Sequence, residues 1–198
     1  MAKGTSLNSV SDKKLLEESV VTFFSGKHDF RSLSNFWEKD VIIDNDDKRE
    51  YETGEHCFHG EKYIRLGRLS EDKTRKKELI FYGLKFLKPS KYKTCNEAKK
   101  IGEKSGLLLT SSELTLWDSL SIDVQIDICS YKYKTYEEVR QDILKSGQKL
   151  LVHPALRTSE ENVKKKIWEG KAIIKDGAIH ILGKNRLGNI WMDVRAVY

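Results

Sequence analysis

The sequence predicts an α+β fold that is predominantly α-helical, with a few short β-strands and hairpins. Stretches typical of helices recur along the whole chain, and two of them begin behind clear capping residues. Two hairpin signals stand among them, and the clearer is Asp176-Gly177 between two apolar, β-rich arms. Only two prolines occur, and no internal repeat or low-complexity linker is visible. We therefore expect a single domain in which small β elements are set between helices.

The helices are expected where apolar residues recur every three or four positions after a cap. The predicted helical ranges are 11–20, 54–69, 96–105, 111–129, 136–144, 162–169 and 186–198. Thr53 or Gly54 is the expected cap of the helix that begins at 54. Residues 70–78 are polar and predict a surface segment, whereas Pro89 rules out a continuous helix over 79–95.

The strands are expected in short runs rich in β-branched and apolar residues. Residues 20–24 predict one strand. Residues 41–51 predict a hairpin whose polar turn spans 44–48, and residues 172–182 predict a second hairpin. These elements are too short to form a large sheet.

Composition narrows the class of protein. Hydrophobic residues make up 38% of the chain and charged residues 33%, which is typical of a globular protein. No run of 18 apolar residues occurs, so no membrane partner is expected. Residues 1–20, interpreted as an extension before a domain at 21–198, lack the apolar core of a signal peptide. Three scattered cysteines without a CxxC pair do not predict disulfides. The default location is therefore the cytoplasm.

The net charge of +6 permits two interpretations. The lysines can form an ordinary solvated surface, or they can attract a partner that carries phosphate. Charges of both signs are mixed along most of the chain, and no arginine-rich arm or RNA-binding motif occurs. Charge alone therefore does not establish nucleic-acid binding.

Glu55 is the strongest candidate for a catalytic residue. In a helix that begins at 54, Glu55, His59 and Lys62 lie one above another. A carboxylate in the first turn meets the positive end of the helix dipole, which favours its ionised form. Such a group suits stabilisation of a developing cation or orientation of a water. The alternative is an ordinary glutamate at a helix start.

The cluster His56, Cys57 and His59 raises the question of a metal site. The order Glu-His-x-x-His matches neither of the zinc-binding helix motifs that contain two histidines and a glutamate. No third ligand follows at a suitable spacing. We therefore expect no metal.

Three further features each have two interpretations. Asn35, within the Leu-Ser-Asn-Phe box at 33–36, can bind a sugar hydroxyl or a base edge, or can bond its own backbone in a turn. Trp117 can stack on a nucleobase or belong to the core. The segment 183–188, with two glycines, an asparagine and two cations before a helix, can cradle a phosphate or simply cap that helix.

Taken together, these segments resemble the NADAR superfamily, also called the YbiA-like or riboflavin-intermediate N-glycosidase family. The resemblance covers Phe23 to Tyr198. Its anchors, in order, are Phe23-Phe24-Ser25, Ser34-Asn35-Phe36, Glu55-His56-x-Phe58-x-x-x-Lys62, Glu97-Ala98-Lys99-x-x-Gly102, Trp117, Lys132-Tyr133, Trp168-Glu169-Gly170, and Lys184-Asn185-Arg186-Leu187-Gly188 with Met192 and Arg195.

The resemblance implies a YbiA-like fold and hydrolysis of an N-glycosidic bond at ribose C1, without metal or organic cofactor. It implies that Glu55 is the catalytic carboxylate, that Trp117 lines the site and that Glu169 is the assisting acid. The residues that it assigns to substrate binding are Ser34, Asn35, Phe36, His56, His59, Lys62, Trp168, Lys184, Asn185 and Arg186. The expected partner is a nucleotide-like small molecule with a ribose phosphate or an ADP-ribose group.

This chain departs from the family pattern at three places. His59-Gly60 stands where the family commonly has Gln-Ala. Trp168-Glu169-Gly170 is one residue shorter than the common Trp-Gly-Asp-Gly. His153 stands where a glutamate is common. These departures concern the second acid and the choice of substrate, not Glu55.

Three functions follow as hypotheses. The first is an N-glycosidase that acts on riboflavin intermediates, which carry ribose phosphate on a pyrimidine, or on a related N-ribosyl compound. The second is a hydrolase that removes ADP-ribose from guanine in DNA or RNA, with nucleic acid as the partner. The third is a binding module that senses ADP-ribose or a related nucleotide without cleaving it.

Overall fold

The computed structural model describes residues 10–26, 29–44, 47–103 and 105–198. The helices in this part of the chain are α1 (Val10–Ser19), α2 (Gly54–Leu69), α3 (Lys73–Leu84), α4 (Cys95–Glu103), α5 (Ser111–Thr135), α6 (Glu137–Ser146), α7 (Glu160–Val163) and α8 (Arg186–Val197). The strands are β1 (Val20–Thr22), β2 (Val41–Asp44), β3 (Lys48–Tyr51), β4 (Leu150–Val152), β5 (Lys171–Lys175) and β6 (Ala178–Leu182). The predicted helix-rich α+β class is confirmed.

The chain forms two compact units. The central unit is Ser32–Val139, and the terminal unit combines Met1–Arg31 with Arg140–Tyr198. Within the described ranges, no helix has both the length and the apolar character needed to cross a bilayer.

The central unit is built around α2. This helix packs on α3, α4 and α5, and the β2–β3 hairpin lies antiparallel with Val41 opposite Tyr51. The unit has an apolar core to which all of these elements contribute. The buried members of that core are Val41, Ile43, Tyr51, Cys57, Tyr63, Leu66, Leu79, Phe86, Ala98, Trp117, Val124 and Ile128. Because α2 is buried for most of its length, it is a rigid base for side chains that project from its first turns.

The terminal unit contains two small sheets. Strands β1 and β4 are parallel, with Val20 opposite Leu150, and β5 and β6 form an antiparallel hairpin. The hairpin turns at Asp176 and Gly177, whose φ angles of 52° and 75° are those that a tight two-residue turn requires. The helix α8 buries one apolar face. That face consists of Leu187, Ile190, Trp191 and Val194.

Most of the predicted elements are present, with shifted ends. The helix predicted at 111–129 continues to Thr135, and the strand predicted at 20–24 ends at Thr22. The helix predicted at 162–169 was wrong for the most part, because α7 covers only Glu160–Val163. Residues 70–78 lie at the surface as predicted, and no continuous helix spans 79–95, but helix α3 at Lys73–Leu84 was not predicted. Strand β4 was not predicted.

The remaining differences are small. The helices predicted at 11–20, 96–105, 136–144 and 186–198 are α1, α4, α6 and α8, each displaced by a residue or two at its ends. Part of the predicted turn at 44–48, residues 45–46, lies outside the described residues, as do residues 1–9 of the predicted extension.

Candidate active site

Glu55 lies in the first turn of α2, where the backbone fixes its position. Thr53 caps the helix by accepting a hydrogen bond from the His56 amide at 3.3 Å, and the Glu55 amide donates to the Asn35 carbonyl at 2.9 Å. Glu55 is 7% exposed. A carboxylate in the first turn lies at the positive end of the helix dipole, which favours negative charge.

One oxygen of the Glu55 carboxylate is bound by the protein. His59, one turn further along α2, donates its Nε2 hydrogen to Glu55 Oε1 at 3.2 Å. The second oxygen, Oε2, accepts no hydrogen bond from any residue that the structure describes, and 9% of the Glu55 side chain remains exposed. The pair therefore leaves one carboxylate oxygen available to a water or a substrate atom.

The imidazole of His59 is enclosed by aromatic rings and by α4. Phe58 meets it edge-on with ring centroids 5.6 Å apart, and Phe58 in turn meets Trp117 at 5.1 Å. His59 is 3% exposed, and its Nδ1 has no hydrogen-bond partner among the described residues. The ring is therefore held through Nε2 alone, by its bond to Glu55.

Asn35 and Gln125 form a reciprocal amide pair. Asn35 Nδ2 donates to Gln125 Oε1 at 2.8 Å, and Gln125 Nε2 donates to Asn35 Oδ1 at 3.0 Å. Gly54 allows this approach, since a Cβ there would lie 2.9 Å from Asn35 Oδ1. The pair fixes the loop before β2 to the middle of α5, next to Gly54, the residue that precedes Glu55.

The rest of the Ser34-Asn35-Phe36 segment is held by α5 and by itself. Ser34 Oγ accepts from the Phe36 amide at 3.2 Å, and Lys132 Nζ donates to the Ser34 carbonyl at 2.9 Å. Gln125 and Lys132 were not predicted as site residues. Both lie on the buried face of α5 that also carries Trp117, so extending the helical spacing from Trp117 would have found them.

His56, a predicted substrate contact, has both ring nitrogens bound within the protein. Nε2 donates to the Tyr92 carbonyl at 2.9 Å, and Nδ1 lies 2.8 Å from Thr53 Oγ1. Since His56 is only 1% exposed, its visible role is to hold the cap of α2.

Lys62, also predicted to contact substrate, is buried and donates to the carbonyl of Gly102. Burial lowers the pKa of Lys62 to about 8. The lysine links α2 to the end of α4, and its ammonium group loses its proton more readily than that of an exposed lysine.

A charged network fixes the middle of α2 to strand β3. Glu61 accepts from Arg49 Nε at 2.6 Å, from Tyr51 Oη at 2.6 Å and from Arg65 Nε at 3.0 Å. Burial alone raises the pKa of Glu61, but the hydrogen bonds from Arg49 and Tyr51 outweigh it and hold the pKa below its ordinary value. Burial likewise raises the pKa of Tyr51 far above its usual range.

The other predicted site residues belong to the terminal unit. Asn185 is 2% exposed and uses both ends of its amide on backbone, donating to the Leu151 carbonyl at 2.8 Å and accepting from the His153 amide at 3.0 Å. The backbone amide of Asn185 donates to the Glu169 carbonyl at 3.1 Å. Asn185 therefore organises its own loop. The predicted substrate roles of its neighbours remain predictions of the family resemblance.

Those neighbours differ in exposure. Among the residues predicted to bind substrate or assist catalysis in the terminal unit, Lys184 is exposed, and Arg186, Trp168 and Glu169 are half-buried. The other predicted residues lie in the central unit, where Glu55 contacts Asn35 and His59 directly; they are Ser34, Asn35, Phe36, Glu55, His56, His59, Lys62 and Trp117. Among the residues that the structure describes, no three histidine, cysteine or acidic side chains form a group that could hold a metal ion.

The fold and the site define an α+β protein whose polar site is built on one buried carboxylate at a helix start. The chain belongs to the NADAR family, because the NADAR domain model matches residues 22–197. That family is associated with N-glycosidase activity.

The chain is also similar in fold to the protein YbiA of E. coli, known from an NMR structure. The identity is 22%, the TM-score is 0.55, and the match covers 90% of this chain and 84% of YbiA. At this identity the likeness concerns the fold alone. A comparison with curated proteins found no match.

Proposed function

We propose that this protein is an N-glycosidase that hydrolyses the bond between ribose C1 and a nitrogen of a nucleotide-like substrate. Ribosylaminopyrimidine phosphates of the riboflavin-intermediate type are the first candidates. One observation carries the proposal: Glu55 Oε1 is tied to His59 at 3.2 Å, while Oε2 accepts no bond from the described residues. Because the hydrogen bond at one carboxylate oxygen holds the group, the second oxygen points in a fixed direction and can orient a reacting water or sugar.

The chemistry follows from the charge of the carboxylate. As the C1–N bond lengthens, positive charge develops on C1 and the ring oxygen, and the electron pair leaves with the nitrogen. Glu55 stabilises that cation and accepts a proton from the attacking water, whose oxygen bonds to C1. The leaving nitrogen takes up a proton from solvent and Glu55 returns the proton of the attacking water to solvent, so that the net reaction consumes one water and gives a free sugar and the base. The rate gain comes from a charge already in place before the reaction begins.

The surroundings of Glu55 suit this role. Trp117 and Phe58 form an aromatic wall beside His59, against which a sugar or base can pack. The paired side-chain amides of Asn35 and Gln125 keep in place the loop that carries Asn35. Rigid groups near a reacting centre cost little reorganisation in the transition state.

The test is Glu55→Gln, which keeps the size of the side chain and removes its charge. The matched control is Glu138→Gln, an exposed first-turn glutamate of α6 whose ion pair with Lys39 spans 3.6 Å at the surface. We expect Glu55→Gln to bind substrate as the wild type does and to lose turnover by about 100-fold or more. Wild-type turnover in this variant, with the control also unchanged, would remove Glu55 from the mechanism.

A second substrate class is favoured by a specific surface. The outer side of α3 carries Lys73, Lys76 and Lys77, all exposed and without an ion pair in the described part of the chain. Phe81, 67% exposed, lies beside them, and Lys85 Nζ is 5.1 Å from its ring centroid. Cations beside an exposed ring are typical of single-stranded nucleic-acid contacts. This surface favours ADP-ribosylated guanine in DNA or RNA as the alternative substrate.

One set of assays separates the three hypotheses. The protein is incubated with a ribosylaminopyrimidine phosphate and with an ADP-ribosylated oligonucleotide, and released sugar is measured. Oligonucleotide turnover that falls with salt, and falls further in a Lys73→Ala/Lys77→Ala variant, would support the second class. Turnover of the small substrate alone would support the first. Tight binding of ADP-ribose with no product from either substrate would identify a binding module.

A further inference from the structure

We infer that Gly102, at the end of α4, is a positioning residue that fixes the imidazole of His59 and, through it, the carboxylate of Glu55. The inference rests on the proposed function, because it assigns Gly102 a part in holding the proposed catalytic group. Gly102 itself touches neither substrate nor reacting atoms.

The first observation is the closeness of Gly102 to the histidine. A Cβ on Gly102 would lie 2.8 Å from His59 Cβ and nearer still to the ring atoms Cγ and Nδ1. No real side chain tolerates such distances, so only glycine leaves the imidazole where it is. The absence of a side chain at 102 is thus what allows His59 to reach Glu55.

The second observation is the unused ring nitrogen. His59 Nδ1 is buried and has no hydrogen-bond partner within the described ranges. A buried polar atom without a partner carries a cost, and a partner on Nδ1 would also fix the ring. Since no hydrogen bond does so, the ring is oriented by its bond to Glu55 and by packing against Gly102 and Phe58.

The third observation is that Gly102 is itself anchored to α2. Its carbonyl accepts hydrogen bonds from Lys62 Nζ and from Tyr63 Oη, the latter at 3.3 Å. Tyr63 Oη also lies 3.3 Å from the Leu107 carbonyl. The helix that carries His59 therefore also holds, one turn later, the residue that confines His59.

A methyl group at 102 would push the imidazole away and break its bond to Glu55 Oε1. The carboxylate would then rotate more freely, and its second oxygen would lose its fixed direction. Displacement of a reacting group by about 1 Å can lower the rate by about 100-fold. We expect Gly102→Ala to lower kcat by about 10- to 100-fold and to change KM less than about twofold.

The decisive experiment is a double-mutant cycle with Gly102→Ala, His59→Ala and both together. If Gly102 acts through His59, adding Gly102→Ala to His59→Ala changes kcat less than about twofold, because no ring remains to be displaced. The urea midpoint should fall in Gly102→Ala and recover in the double variant, where the missing ring leaves room for the methyl. Lys100→Ala, on the exposed side of α4, is the control and should match the wild type.

A second readout does not depend on catalysis. With histidine labelled by nitrogen-15, the His59 ring should show two different nitrogens, Nε2 bound to Glu55 and Nδ1 without a partner, and this pattern should change in Gly102→Ala but not in Lys100→Ala. If Glu55→Gln retains full turnover, the proposed function fails while this spectrum still tests the contact. Equal kcat losses from Gly102→Ala in both backgrounds, wild-type kcat in Gly102→Ala, or an unchanged His59 spectrum would each overturn the inference.

Discussion

The buried network at Glu61 gives a quantitative prediction for the variant Glu61→Gln. Glu61 is fully buried and accepts two hydrogen bonds from Arg49, through Nε at 2.6 Å and through a terminal guanidinium nitrogen at 3.2 Å. Glutamine keeps the volume but removes the charge and turns one acceptor into a donor. Arg65 retains Asp127 at 2.6 Å, whereas Arg49, which is 5% exposed, loses its buried counter-charge and keeps only the exposed Asp47 at 3.8 Å.

The expected cost follows from that burial. Removing one member of a buried ion pair costs about 3–5 kcal/mol, since the remaining charge keeps its desolvation penalty. A domain has about 5–15 kcal/mol of stability in total, so the variant should lose a large share of it. Because Glu61 and Tyr51 join α2 to β3, the loss should extend to the start of α2 and to Glu55.

The measurement is urea denaturation of wild type, Glu61→Gln, Arg49→Met and the double variant. The double variant should be more stable than the sum of the two single losses implies, because it leaves no unpaired charge. Glu50→Gln, on the same strand with an exposed partner Lys88 at 3.1 Å, should leave the midpoint unchanged. A loss below about 1 kcal/mol in Glu61→Gln would refute the reasoning.

The same network fixes the sign of a pH dependence. The folded pKa of Glu61 lies below its unfolded value, so the paired carboxylate stabilises the protein above the unfolded pKa. That stabilisation is lost as the pH falls through the folded pKa. In Glu61→Gln the acid side of the stability profile should therefore be flatter than in the wild type.

Two further predictions concern the links around the site. The unfolded chain holds a proton on Lys62 between the folded pKa of about 8 and the ordinary value of 10.5, so stability due to Lys62 rises with pH there. In Lys62→Met, the rise in unfolding free energy between pH 8 and 9.5 should be smaller than in the wild type by about 2 kcal/mol. The measurement is the difference between the urea profiles of the two proteins, because the buried thiols of Cys57 and Cys129 oppose the rise equally in both. Gln125→Leu should cost about 3 kcal/mol in unfolding free energy, as it leaves both ends of the buried Asn35 amide unpaired; a cost of this size that persists in the Asn35→Leu background would contradict the pairing.

Local signals were enough to predict α2 and the placement of Glu55 in its first turn. Thr53 caps that helix as its sequence position suggested, and the hairpin turn at Asp176-Gly177 has the positive φ angles that these residues favour. In both cases the cause of the structure lies within a few residues. Patterns of this range can be recognised in a single sequence.

Helix α3 was not predicted from the sequence. Only Leu79 and Gly83 of its twelve residues are buried, so its polar first half has no apolar periodicity to detect. The signal that was present is a cap, since Asp72 accepts from the Thr74 and Arg75 amides at 2.7 and 3.0 Å. An exposed helix is marked by its ends better than by its middle.

The contacts that build the site could not be predicted because they join distant parts of the chain. Asn35 and Gln125 are 90 residues apart, and Lys62 and Gly102 are 40 apart. The hydrogen bond from His56 to the Tyr92 carbonyl likewise joins residues that only the folded chain brings near. Residue type at a site can be expected from the sequence, but the partner of each polar atom depends on tertiary structure.

The departure at position 59 has a physical explanation in this geometry. The resemblance implies a glutamine here, and an amide one turn after Glu55 could donate an N–H to the carboxylate as the histidine does. What the site requires at 59 is therefore a donor, and His59 supplies it at 3.2 Å. The imidazole is flat and rigid beyond Cβ, so it fits only because Gly102 has no side chain. Its second nitrogen, Nδ1, has no hydrogen-bond partner among the described residues. Histidine thus keeps the donor that orients Glu55 and makes that orientation depend on the packing of α4.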